Sequence, residues 1–128
     1  MSLKIAVLAV GDELLNGEMA DTNTARIGRL LGAHGLLLRQ ARVVADTEPD
    51  IEEALLELAA RHDVLIVTGG LGPTADDLTA RTAARAFQRR LLLSDEALRQ
   101  IREHFARTGR EMDPRNDKQA LLPQKALI

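Results

Sequence analysis

The sequence has 128 residues, 45% of them hydrophobic and 28% charged, with a formal net charge of −2. That length suits one domain with a core of its own, and the charge gives no electrostatic footprint for nucleic acid. Only Phe87 and Phe105 are aromatic, which argues against a base-stacking platform, and the lack of cysteine excludes disulfides and thiolate metal sites. No apolar run approaches a membrane span. Met1-Ser2-Leu3-Lys4 leads straight into a strand pattern rather than a signal peptide. The expectation is a cytoplasmic domain with neither a membrane nor a nucleic-acid partner.

Ile5 to Val10 is a continuous apolar run, as in a parallel strand covered on both faces. Gly11-Asp12-Glu13-Leu14-Leu15-Asn16-Gly17 breaks it, and a helix starts at Asp21-Thr22-Asn23 with Ile27, Leu30 and Leu31 at helical spacing. Gly32 and Gly35 mark its end. Leu36 to Val44 reads as a second strand, more polar in its later half and so nearer an edge. Thr47 stands three residues before Asp50 with Pro49 between, which predicts a capped second helix with Ile51, Leu55, Leu58 and Ala59 facing inward.

Val64 to Val67 reads as a third buried strand that ends in Thr68-Gly69-Gly70-Leu71-Gly72-Pro73-Thr74-Ala75-Asp76-Asp77-Leu78-Thr79. A helical pattern follows from about Asp77, with Leu78, Ala83, Ala84 and Phe87 marking it and Asp76 or Asp77 as its N-cap. Leu91 to Leu93 is an apolar link too short to assign. Ser94 caps a further helix with Leu98, Ile101 and Phe105 inward and Gly109 as its stop, and a polar stretch follows from Glu111 to Gln119. Ala126-Leu127-Ile128 reads as the opening of another strand, so the chain is expected to be one domain, residues 1–128, cut short at its C-terminal end. Alternation of strands and helices predicts an α/β fold with a mostly parallel sheet.

Three loops leave the carboxyl ends of these strands, where α/β sheets bind ligands. They carry Asp12 and Glu13, Asp46, and Asp76 and Asp77. Three glycines in four residues let a ligand reach the main chain, and the next helix points free N–H groups at the same place. Phosphate beside carboxylates calls for a divalent cation such as Mg²⁺, Mn²⁺ or Co²⁺. The same residues also suit an ordinary strand-to-helix turn, and the stretch is neither a Walker loop nor a dinucleotide fingerprint. His34, His62 and His104 have no partner at metal spacing, and Arg115 and Lys118 read as a solvated face. No serine, cysteine or histidine stands out as a nucleophile or base, which leaves metal-assisted attack on phosphorus as the economical mechanism.

Taken in order, Gly11-Asp12-Glu13-Leu14-Leu15-x-Gly17, Asp21-Thr22-Asn23, Val44-x-Asp46, the long Thr68–Thr79 stretch, Arg110-Glu111-Met112 and Lys118-Gln119-Ala120-Leu121-x-Pro123 resemble the N-terminal domain of the CinA (competence/damage-inducible protein) family. That domain is related to the molybdopterin-binding domains of molybdenum cofactor biosynthesis. The resemblance implies a three-layer α/β/α molybdopterin-binding-like fold, with the ligand's phosphate on Thr68, Gly69, Gly70, Gly72 and Thr74. It places catalytic acids at Asp46 and Asp77, a metal between Asp46, Asp76 and Asp77, and further substrate contacts at Gly11, Asp12, Glu13 and Asn23. The implied activity is divalent-metal-dependent hydrolysis of ADP-ribose to AMP and ribose 5-phosphate, by a homo-oligomer. Binding or adenylylating molybdopterin is the alternative, against which Leu71 counts because the cofactor-synthesis relatives usually carry Thr there; a non-catalytic nucleotide-binding module is a third. A separate deamidase domain found in many members has no counterpart in these residues. A further ligand loop and strand are expected beyond Ile128.

Overall fold

The computed structural model describes residues 2–128. Strand β1 (Ile5–Val10) is followed by a four-residue helix α1 (Asp12–Leu15), helix α2 (Thr22–Ala33), β2 (Leu38–Val44), α3 (Glu48–Arg61) and β3 (Val64–Thr68). Then come α4 (Thr79–Ala86), β4 (Leu91–Leu93), α5 (Asp95–Thr108), a 3-10 helix (Pro114–Ala120) and β5 (Leu121–Pro123). The first three strands form a parallel sheet in the order β2-β1-β3. β4 and β5 pair antiparallel in a second, two-stranded sheet.

The order β2-β1-β3 fixes the layers. The crossover from β1 to β2 and the one from β2 to β3 run in opposite directions, so right-handed connections put α2 and α3 on opposite faces. Ala6, Leu8 and Val10 point into the main core with Ile51, Ala54, Leu55 and Leu58 of α3, and Ala83 and Ala86 of α4 pack against the same cluster. All six residues of β1 are at most 2% exposed. The apolar run thus lies where its composition placed it, at the centre and covered on both faces. β2 is an edge strand, as its polarity predicted, and carries Arg39 and Arg42. β3 is the opposite edge and carries no charge.

Caps set most boundaries. The Asp21 side chain accepts from Thr24 N (3.1 Å), Thr47 Oγ1 from Asp50 N (3.4 Å), and Ser94 Oγ from Ala97 N (3.1 Å). Gly109 ends α5 in the left-handed region, at φ +65°.

Several expectations need correction. Residues 12–15 form a short helix rather than a loop. α2 buries no residue fully, and Leu30 is 56% exposed. α4 starts at Thr79 with Leu78 as its N-cap and no side-chain cap, because the Asp77 carboxylate turns back onto Thr74 instead. Phe87 lies beyond that helix and is exposed. Residues 126–128 have no strand structure. No helix among the described residues is long and apolar enough to cross a membrane.

Candidate functional site

Because α2 leaves β1 toward one face and α4 leaves β3 toward the face of α3, the sheet has a topological switch point between β1 and β3. Crevices of this kind, at the carboxyl edge, are where open α/β sheets bind ligands. The Gly11–Glu13 turn and the Thr68–Thr79 loop flank it.

The glycine loop is built against the strand next door. Gly69 and Gly70 adopt φ of +85° and +63°. A Cβ on Gly69 would stand 2.0 Å from the Val10 carbonyl oxygen, and one on Gly70 would stand 2.3 Å from Thr79 Oγ1. The Thr79 hydroxyl is buried and donates to the Gly69 carbonyl at 2.7 Å, while the Thr79 amide donates to Gly70 O at 3.2 Å. The lost side chains at 69 and 70 therefore make room for the chain itself. What they leave to a ligand is the main chain: the Gly70 and Leu71 amides donate to no group among the described residues. Successive backbone N–H groups in such a turn form an anion-binding concavity.

Asp77 shapes the far side of the loop. Its Oδ2 accepts from Thr74 N (2.9 Å) and Thr74 Oγ1 (2.8 Å), and it occupies the space a Cβ at Gly72 would need. Partial burial pushes its pKa up, but the hydrogen bonds from Thr74 and Gly72 and the charge of Lys118 outweigh that, and the carboxyl is held below its ordinary value. Asp76, next to it, is exposed.

The other two loops are tied by a reciprocal pair. Asp12 N donates to Asp46 Oδ2 at 3.0 Å, and Asp46 N donates to Asp12 Oδ1 at 2.9 Å. Gly11 N adds a bond to Val44 O at 3.0 Å. One oxygen of each carboxylate is left over. The Glu13 carboxylate folds against Gly11, within 2.6 Å of where a Cβ there would stand. Asn23 lies exposed in the first turn of α2 and joins none of these bonds.

The predicted residues thus fall into two groups, Asp12 with Asp46 and Thr74 with Asp77, on either side of β1. Ends of β2 and β3 stand two strand spacings apart, about 10 Å, which is wider than one ion with ligands at about 2 Å can bridge. Among the described residues no three His, Asp or Glu side chains gather closely enough to hold a metal ion. Asp46, Asp76 and Asp77 are therefore not a preformed three-carboxylate set. The free oxygens of Asp12 and Asp46 do fit a Mg²⁺-type ion, which takes one or two carboxylates and fills its shell from water and substrate phosphate.

A cleft of about 900 Å³ opens on the other side of the loop. Gly70, Leu71, Gly72, Asp77 and Lys118 form one wall; Ile101, Phe105 and Leu121 lie on the other. Lys118 is the residue that sequence reasoning passed over. Its ammonium donates to the carbonyls of Thr74 and Asp77, the second at 2.7 Å. Arg115 does stay on the surface, paired with Asp113 at 2.9 Å.

Sheet order and the glycine turn define an α/β domain with a topological switch point between β1 and β3. Residues 6–124 match the family described as a probable molybdopterin binding domain. A CinA-like protein of Syntrophotalea carbinolica is 63% identical over 128 residues, all of this chain and 31% of that protein. One from Geobacter metallireducens is 56% identical over 97% of this chain and 30% of its own length. The crystal structure of CinA from Thermoplasma acidophilum matches with a TM-score of 0.83 at 32% identity, over 96% of this chain and 72% of that one. The molybdopterin biosynthesis enzyme MoaB of Thermus thermophilus gives 0.62 at 26% identity, over 70% and 57%. The chain belongs to the molybdopterin-binding domain family and is a CinA-like member of it. It spans about a third of the length of the CinA-like relatives, 31% and 30%.

Proposed function

We propose that this domain hydrolyses the phosphoanhydride of ADP-ribose-like nucleotides, releasing AMP and a sugar phosphate with the help of a divalent cation. The observation that carries the reading is the pair of bare amides at Gly70 and Leu71, residues that also line the 900 Å³ cleft, with the reciprocally bonded Asp12–Asp46 pair at the ends of the neighbouring strands. A pyrophosphate carrying its cation spans further than a lone ion, as two separated groups of ligands require. Asp12 and Asp46 would hold the cation, which supplies Lewis-acid polarisation and an activated water. The loop from Thr68 to Thr74 orients the phosphates through its amides, and Asp77 keeps that loop in shape.

The test is AMP release from ADP-ribose with Mg²⁺, Mn²⁺ or Co²⁺, against a chelator control. Asp46→Asn keeps the acceptor for Asp12 N but removes the charge, so it should fold normally and lose about 100-fold or more in kcat. If neither this chain nor a full-length relative releases AMP, the reading fails. A second reading, pterin binding, is favoured by the family match over residues 6–124; tight molybdopterin binding without ADP-ribose binding would put it first. Binding of ADP-ribose with no turnover would make the domain a nucleotide-sensing module. The proposal includes a cytoplasmic homo-oligomer, and sedimentation velocity that finds only monomer removes that part.

A further inference from the structure

The glycine loop is held from outside as well as from within. Lys118 stands on the 3-10 helix, 44 residues from Thr74 and 41 from Asp77, yet its Nζ donates to both of their carbonyls. The next residue, Gln119, donates from Nε2 to the Leu71 carbonyl at 3.3 Å. The segment that carries them is fixed: Ala120 is fully buried, and its carbonyl accepts from Ser94 N at 2.8 Å. Thr74 O also accepts from Asp77 N, within the turn that Asp77 closes through its carboxylate.

We propose that Lys118 is the positioning residue of the glycine loop, holding residues 70–79 in their anion-binding shape from the 3-10 helix. Carbonyls of a tight turn that point at one place repel each other, and an ammonium between them removes that repulsion. The same charge stands beside the Asp77 carboxylate, so that an incoming phosphate meets a neutralised acid rather than a bare one. A methionine at 118 would keep the stem's apolar packing and lose all three donors. An arginine would keep charge and donors.

Only the ligand arm of the test rests on the pyrophosphatase reading. The first arm measures amide hydrogen exchange in the ligand-free chain. In Lys118→Met the amides of Thr74, Asp77 and Thr79 should exchange at least about tenfold faster, with β1 and α3 unchanged; Lys118→Arg should restore them. The second arm is calorimetric titration with ADP-ribose and Mg²⁺, where Lys118→Met should weaken binding about tenfold and Lys118→Arg should recover it. Unchanged exchange at those three amides overturns the proposal, as does a loss of protection that spreads to β1 or one that arginine does not rescue. If the parent chain binds no ADP-ribose, the functional reading fails while the exchange arm still decides the role of Lys118. Should Lys118→Met not fold, Lys118→Gln carries the same comparison.

Discussion

A glycine's cost or benefit depends on what stands where its side chain would go, and this chain offers a controlled pair. Gly69→Ala would drive a Cβ to 2.0 Å from Val10 O at φ +85°. Clash and strain together should cost about 2–4 kcal/mol, read as a lower denaturation midpoint. Gly28, inside α2, has nothing within 4 Å of its missing Cβ. Gly28→Ala should stabilise by about 0.5–1 kcal/mol. Asp77 sets a pH dependence. Its carboxyl is held below the ordinary value in the folded state, so its stabilising contribution is full above the unfolded pKa. It is lost as the pH falls through the lower, folded value, which places the loss below about pH 4. Melting curves of the parent and Asp77→Asn should therefore differ near neutral pH and converge in acid; a constant gap would contradict this.

Among the elements, α2 and α3 are both amphipathic in sequence but unequal in the structure. α3 buries Ile51, Ala54, Leu55 and Leu58, whereas α2 buries nothing fully. Leu55→Ala should cost about 2–5 kcal/mol and Leu30→Ala no more than about 1 kcal/mol. Amides of α2 should also exchange before those of α3, because local opening there exposes less apolar surface. The strands and the caps at Asp21, Thr47 and Ser94 were legible because each is a local signal within a few residues. β4 and β5 were not. They are three residues each and pair across thirty positions, Leu91 with Pro123, so no periodicity could mark them. The candidate site shows the same division. The glycine loop and its acids announce themselves in sequence, while the Asp12–Asp46 exchange of bonds and the reach of Lys118 exist only once the strands are ordered.

At the scale of the molecule, the chain's first strand is the sheet's central one, and the glycine loop and the Asp12–Asp46 pair both lie at one end of it. The six residues of β1 run from Ile5 at one edge of the sheet to Val10 beside the glycine loop. That is a length of about 20 Å. The opposite terminus behaves differently, since Leu127 and Ile128 line the cleft that Gly70 and Lys118 also line. Residue 2 therefore stands toward the far edge of the sheet, whereas Ile128 stands in the cleft wall. A biosensor surface coupled through the amino end should leave ligand access intact. Coupling through the carboxyl end should crowd the cleft and lower the measured association rate.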